Sequence, residues 1–170
     1  MTMKKSLKFN LRLNDTAIDK ADERGTNFLK SHGFSNETVQ AQIMILRELI
    51  NNGKKFESPS SLGKSEITVF LLVEEKTITV EVRKAVEESS QHELNKLDKT
   101  IQWIRGYQDP FEPYMKKLRE ISENSNNSET NGMGLARIAY EAGATLDFFV
   151  SEDNILKLSA VRSLKGDCGI

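Results

Sequence analysis

The chain has 170 residues, of which 38% are hydrophobic and 29% charged, and its 24 basic and 25 acidic side chains leave a net charge of −1. This length and composition favour one globular domain with a single core. The balanced charge offers no basic surface for nucleic acid or anionic lipid. No apolar run approaches the roughly 18 residues of a membrane span, and no signal peptide precedes the first strand. We therefore expect a cytoplasmic protein that binds neither nucleic acid nor membrane.

Metal-binding and redox side chains are scarce in this sequence. The chain has one cysteine, Cys168, and two histidines, His32 and His92. A single cysteine cannot form an internal disulfide, and this set argues against a zinc site built from the protein's own side chains.

The chain opens with a predicted strand and helix. Residues 7–13 alternate apolar and polar side chains, as a strand with one buried and one wet face does. Asn14, Asp15 and Thr16 offer capping oxygens to the helix that follows. Gly33 is placed to end that helix in a left-handed conformation.

A long second helix is predicted after Ser35, its N-cap. Glu48 and Asn52 lie four residues apart, so they stack on the same face of this helix. A carboxylate and a carboxamide so placed can together hold a metal ion and polarise a water. Four apolar residues at spacings of four, three and four form the core stripe on another face: Val39, Ile43, Leu46 and Ile50.

The remaining segments predict two hairpins that flank a helical region. Residues 67–73 and 77–83 form one hairpin, and residues 145–150 and 155–161 form the other. Between them, helical periodicity starts at Val86 and is interrupted by residues 106–110. Residues 122–130 contain no apolar side chain and are typical of a mobile loop or lid. A short helix carrying Leu135, Ile138 and Ala142, stopped by Gly143, then leads into the second hairpin.

The predicted element order is β-α-α-β-β-α-α-α-β-β. Its strands alternate, whereas parallel strands covered on both faces are continuously apolar. We therefore predict an α+β two-layer sandwich, a mostly antiparallel mixed sheet with helices on one face. One domain is expected to span residues 1–170, with its core at about 7–162.

This order and the Glu48-x-x-x-Asn52 motif resemble the ATP-binding domain shared by gyrase, histidine kinases and anti-sigma-factor serine kinases. The last group is the most similar in size and layout, and the resemblance covers roughly residues 7–162. It implies a histidine-kinase-like ATPase fold, with Asn52 as a Mg²⁺ ligand and Glu48 as the catalytic base. Asn51 has no place in the family pattern.

A second motif, Gly132-Met133-Gly134-Leu135, resembles the family's Gly-x-Gly-Leu box. It follows the polar loop and opens a helix. Glycines let the backbone approach a phosphate, and a helix N-terminus offers free N–H groups and partial positive charge. The resemblance implies that these four residues contact the phosphates of ATP.

The family's adenine-binding box is missing. The family has Asp-x-Gly-x-Gly after the strand that ends here near Arg83, and its aspartate accepts a hydrogen bond from the adenine amino group. Residues 83–88 read Arg-Lys-Ala-Val-Glu-Glu instead, and cations cannot accept a hydrogen bond. An unpaired amino group in a closed site costs roughly 1–3 kcal/mol. The helical residues 86–121 replace the adenine-side loop.

Two functional hypotheses follow. In the first, the protein is a regulator in a partner-switching signalling pathway that has lost efficient ATP use and binds another protein. The resemblance suggests a sigma factor or a small phosphorylatable antagonist protein as that partner. The alternative is an active Mg-ATP-dependent protein-serine kinase or ATPase of the anti-sigma-factor type.

Plainer interpretations of the same residues stay open at this stage. Glu48 and Asn52 would also suit a polar ridge at the solvent edge of a helix. The motif at Gly132 and Gly134 would also suit a flexible turn, and the polar loop ordinary surface. A homodimer formed through residues 86–121 is a further possibility.

Overall fold

The structure, a computed structural model, describes residues 4–123 and 132–164. Five strands form one sheet in the order β1-β2-β3-β5-β4: β1 (Lys5–Arg12), β2 (Glu66–Val73), β3 (Thr77–Ala85), β4 (Ala144–Val150) and β5 (Ile155–Ser163). Five helices accompany it: α1 (Ala17–Ser31), α2 (Asn36–Lys54), α3 (Gln91–Arg105), α4 (Phe111–Glu123) and α5 (Met133–Tyr140). The predicted element order and the α+β class are confirmed.

Every strand pairing in the sheet is antiparallel, so the sheet is not mixed. β4 runs in the same direction as β3. However, β5 lies between them, and no parallel pair forms. β5 is joined to β4 by a tight hairpin, and it pairs with β3 along its whole length. The β3–β5 pairing runs from Thr77 opposite Ser163 to Ala85 opposite Ile155.

The core lies between the sheet and the helices. The inward residues of the three central strands are almost completely buried, and α2 packs across β3 and β5 above them. α1 packs on β1 and α2, α3 and α5 pack on β4, and α4 packs on α5. The opposite face of the sheet carries no helix among the described residues, and Phe149 on it is 61% exposed. The predicted two-layer arrangement therefore holds.

The predicted ends of α1 and α2 follow the local sequence closely. Ser35 caps α2 as predicted, because its hydroxyl accepts a hydrogen bond from the Thr38 N–H at 3.2 Å. Gly33 has φ +81°, the expected left-handed conformation after α1. At the start of α1, Asn14 Oδ1 accepts hydrogen bonds from the Thr16 N–H and hydroxyl, while the side chain of Thr16 itself caps nothing.

Two boundaries differ from the prediction. Val86 does not begin a helix, because its N–H donates to the Asn154 carbonyl and not to a carbonyl of a preceding helical turn; α3 starts at Gln91. Ser122, predicted in a mobile loop, belongs to the last turn of α4. The rest of that loop, residues 124–130, lies outside the described residues, as do Asn131 and Cys168. Within the described ranges, no helix is both long and apolar enough to cross a bilayer.

Candidate functional site

α2 places Asn52 at a buried position facing a cavity. The core stripe on this helix is confirmed, and Ile45 and Leu49 are fully buried as well. Asn52 is 7% exposed, and its Nδ2 donates to the Glu48 carbonyl oxygen at 2.8 Å. That bond orients the amide, and no hydrogen bond from the described residues reaches Oδ1. The oxygen is therefore available to a ligand or a hydrated cation.

The Glu48 carboxylate turns towards α5. Its Oε1 lies 3.3 Å from Arg137 Nη1, and its side chain is 19% exposed. Its Oε2 lies against Gly134, where an added β-carbon would stand only 2.0 Å away. Glu48 therefore meets one glycine of the predicted phosphate-binding motif directly.

Gly132 begins α5 in a conformation that only glycine adopts readily. Its φ is +88°, and its carbonyl accepts the Ala136 N–H at 3.0 Å as the first helical bond. A β-carbon here would lie 2.8 Å from Thr100 Cγ2 and 3.4 Å from Lys117 Cε. The glycine thus serves both the left-handed turn and the close packing of α3 on the start of α5.

Asn52 and Gly132 share a cavity of about 240 Å³, which we call the lysine cavity. Three lysines lie on its wall, Lys55 after the end of α2 and Lys96 and Lys99 on α3, with Glu93 as the acidic group among the described lining residues. The other lining residues are Asn52, Phe56, Leu97, Thr100, Gly132 and Leu135. A surface of this composition attracts anions.

Glu48 lines a different cavity. This α1–α2 groove has a volume of about 520 Å³, and Arg47, Asn51 and Arg137 also contribute to it. Its floor is apolar, formed by Ile18, Val39, Ile43 and Met44. Glu48 and Asn52, which share a helical face, therefore line different cavities.

The two cations predicted to replace the adenine-binding aspartate point to opposite faces of the sheet. Lys84 lies on the helix-covered face and is 7% exposed, and its Nζ donates to the Ala85 carbonyl at 3.4 Å. Burial lowers the pKa of Lys84, while the charges of Glu57 and Glu87 partly oppose that shift. Arg83 lies on the open face, 2.6 Å from Glu81 and stacked on Phe70. Of these two residues, only Lys84 lies on the helix-covered face, so only Lys84 could lie near the base of a bound nucleotide.

The three lysines of the cavity were not among the residues predicted from the sequence. Lys96, Lys99 and Thr100 share one face of α3 at spacings of three and four, which helical periodicity could have shown. Lys55 joins them from a segment more than 40 residues away, and only the packing of α3 beside α2 brings them together. Of the four motif residues, Gly132 and Leu135 line the cavity, while Gly134 contacts Glu48 and Met133 is half-buried.

Comparison with known proteins defines the class of fold. No family model matches the chain, and no curated protein matches it. Among solved structures, one chain of the SiaB–SiaC complex from Pseudomonas aeruginosa is similar, with a TM-score of 0.64 and 17% sequence identity. The match covers 92% of this chain and 89% of that one. The chain therefore has the fold of a protein that has been crystallised in a complex with another protein.

Proposed function

We propose that this protein is a signalling regulator that acts by binding another protein, on a kinase-like scaffold that has lost efficient ATP use. The observation that supports this most directly is that Glu48 and Asn52 line different cavities. Phosphoryl transfer requires the base, the metal ligand and the phosphates to meet at one place. Here Asn52 faces the lysine cavity, whereas Glu48 faces the α1–α2 groove and pairs with Arg137.

The described residues suit the magnesium ion and the phosphates of a Mg-nucleotide, but they do not suit its base. The Oδ1 of Asn52, which no described residue bonds, suits a magnesium ligand, and the lysines suit phosphate oxygens. When bound, a magnesium ion would neutralise phosphate charge beside Asn52. On the base side, the ammonium group of Lys84 cannot accept a hydrogen bond from the adenine amino group. The site therefore supports phosphate contact without adenine recognition.

The partner that we propose is a protein. The structural neighbour belongs to a complex of two different proteins, which is consistent with this class of partner. The resemblance to anti-sigma-factor kinases suggests a sigma factor or a phosphorylatable antagonist. Calorimetric titration with the sigma factors and antagonist-like proteins of the same genome would test it. Saturable binding of one of them is expected, and no heat from any of them would contradict the proposal.

ATP turnover provides the complementary experiment. We expect hydrolysis and phosphotransfer with Mg-ATP to stay at the buffer rate, in the wild type and in Asn52→Ala alike. Asn51→Ala is the matched control, because Asn51 lines the α1–α2 groove rather than the lysine cavity. Turnover that Asn52→Ala abolishes and Asn51→Ala preserves would overturn the proposed loss of ATP use.

A second candidate function is that of a protein-serine kinase or ATPase. The carboxamide oxygen of Asn52, which has no hydrogen bond from the described residues and lines a cavity with three lysines, favours it. In this function Glu48 would have to leave Arg137 and act as the base. Glu48→Gln would then abolish transfer of phosphate to a partner protein, while the thermal unfolding temperature would change little.

Self-association is the remaining alternative for the partner. Three apolar side chains of α4 are partly exposed: Phe111 at 42%, Leu118 at 37% and Ile121 at 36%. Analytical ultracentrifugation would show a dimer if a second copy covers them.

A further inference from the structure

We infer that the outer edge of β4 is a docking site for an extended segment of the partner protein. The segment joins the sheet as a further strand and places one large apolar side chain in a cavity beside β4. The inference rests on the proposed function, because it names the surface that holds the partner. It involves neither Asn52 nor the glycine turn before α5.

The hydrogen bonds of β4 leave a row of backbone groups on its outer side. The Ser151 N–H donates to the Ile155 carbonyl at 3.0 Å, just beyond the last residue pair of the β4–β5 hairpin. Hydrogen-bonded and non-hydrogen-bonded pairs alternate along an antiparallel ladder, so Thr145, Asp147 and Phe149 bond to β5. The N–H and carbonyl groups of the intervening residues therefore point outwards: Ala144, Leu146, Phe148 and Val150. No strand of the described residues pairs with this side of β4.

The two edges of the sheet are protected to different degrees. The other edge strand, β1, carries three cations: Lys5, Lys8 and Arg12. Charged side chains, lysine above all, discourage pairing with a further strand. By contrast, β4 has a single charged residue, Asp147, and no lysine, arginine or proline.

The side chain of Asp147 covers only one of the outward groups of β4. Its Oδ1 accepts the Phe148 N–H at 2.9 Å and lies 3.5 Å from Arg105 Nη1. The side chains of Asp147 and Arg105 are 72% and 46% exposed, and ion pairs this exposed are weak. An incoming strand can therefore displace this contact and take the Phe148 N–H.

A cavity between β4 and the end of α3 adds a pocket for a side chain. Its volume is about 330 Å³. Most of its lining is apolar: Ile104, Tyr107, Pro110, Ala139, Ala144 and Leu146. Cavities that hold ligands usually measure about 300–1,000 Å³, so this one has room for one large apolar side chain. In strand addition, backbone hydrogen bonds supply the affinity, while such pockets select alternate side chains.

The open face of the sheet sets the charge of the segment. Successive side chains of a strand point to opposite faces, so the neighbours of the side chain in the cavity lie on the open face. Asp147 is on that face, and opposite charges on adjacent strands attract each other. The segment therefore alternates, with an apolar side chain for the cavity and a lysine or arginine on the other face.

Selection from a phage-displayed library of random nonapeptides, with the full chain as bait, tests the inference. We expect the enriched peptides to alternate apolar and polar residues and to carry a basic residue on the polar side. Asp147→Lys should weaken binding of a selected synthetic peptide by about tenfold or more, because it reverses the charge and places a lysine on the edge. Asp153→Lys, the same change in the exposed turn after β4, is the matched control and should change the affinity by less than about twofold.

Amide hydrogen exchange shows whether the peptide adds as a strand. The bound peptide should slow exchange about tenfold or more at the outward N–H groups of Leu146, Phe148 and Val150. The residues between them already donate to β5, so their exchange should change little. Protection that does not alternate along β4 would show that the peptide does not pair with this edge and would overturn the inference.

The failure of this inference is distinct from the failure of the proposed function. If no peptide is enriched, or if Asp147→Lys and Asp153→Lys bind a selected peptide equally well, the docking edge is wrong. Calorimetry with whole candidate partners still decides the proposed function in that case. If selected peptides protect the edge but no candidate partner binds, the docking edge stands and the proposed class of partner is wrong.

Discussion

The carboxylate of Glu48 lies directly against the backbone of Gly134, a residue 86 positions later in the chain. A β-carbon on Gly134 would stand 2.0 Å from Glu48 Oε2, a distance that no real contact reaches. The same carboxylate reaches Arg137 one turn further along α5. The absence of a side chain at Gly134 therefore leaves the space that the Glu48 carboxylate occupies.

Alanine at Gly134 tests this contact. We expect Gly134→Ala to push the carboxylate away and to abolish its coupling with Arg137. In the wild type, a double-mutant cycle between Glu48→Gln and Arg137→Gln should give a coupling of up to about 1 kcal/mol, the range of partly exposed ion pairs. In the Gly134→Ala background that coupling should vanish, as measured by urea unfolding.

Gly53→Ala is the matched control for this experiment. Gly53 lies within α2, and a β-carbon there would meet only Val82 Cγ1, at an ordinary 3.7 Å. Alanine should stabilise the protein by about 0.5–1 kcal/mol through helix propensity. The Glu48–Arg137 coupling should persist in that background. If the coupling also persists in Gly134→Ala, the position of the Glu48 carboxylate does not depend on the glycine.

Alanine substitutions at two left-handed glycines should distinguish the stability cost of a strained backbone from the cost of a steric clash. Gly143 has φ +60° and nothing within 4 Å of an added β-carbon, so Gly143→Ala should cost only the left-handed penalty of about 1–2 kcal/mol. Gly132→Ala should cost more, because its β-carbon would also meet Thr100 Cγ2 at 2.8 Å. Thr100→Ser, which removes that methyl group, should narrow the difference. Equal costs at both glycines, by chemical denaturation, would contradict the packing of α3 on Gly132.

Replacing a buried amide in α2 with an apolar side chain should raise the free energy of unfolding. Gln42 is fully buried, and neither its Nε2 nor its Oε1 has a hydrogen-bond partner among the described residues. An unsatisfied buried polar group costs about 1–3 kcal/mol, so Gln42→Met should raise the free energy of unfolding by an amount in that range. Gln40→Met, at an exposed site on the same helix, should change it by less than about 0.5 kcal/mol. A loss of stability in Gln42→Met would indicate that the amide has a partner, such as a buried water.

Lys84 should make the stability depend on pH in the alkaline range. Burial lowers the pKa of Lys84 in the folded state, so below the unfolded-state pKa near 10.4 the unfolded chain binds more protons. The free energy of unfolding contributed by this residue therefore rises with pH, from the lowered folded-state pKa up to about 10.4. Below both pKa values, the buried charge destabilises the fold by its full amount.

Lys84→Met should accordingly stabilise the protein at neutral pH, and the gain should shrink as the pH approaches about 10.4. Lys76→Met, at an exposed turn position, is the control and should show neither effect. Denaturation midpoints across this pH range measure both. A gain for Lys84→Met that does not change with pH would show that the pKa of Lys84 is the same in the folded and unfolded chains, and would contradict the lowered pKa.

Some features of the site followed from local sequence and others did not. The pairing of Glu48 and Asn52 on one helix was predictable from their spacing. Their separation into two cavities was not, because it depends on where α5 crosses α2. Likewise, Arg83 and Lys84 are adjacent in sequence, and strand alternation alone puts them on opposite faces; which face the helices cover is a property of the whole domain.

The sequence by itself determined the elements and the class of fold. Alternation in β1 to β5 and the apolar stripe of α2 decide which side of each element must be buried, and burial of apolar surface is the main force that folds the chain. Only the tertiary structure decided that Lys55 and Lys99 line the same cavity and that Glu48 binds Arg137 across 89 residues. Contacts between polar side chains of distant elements contribute little to choosing the fold, so they leave no periodic pattern in the sequence.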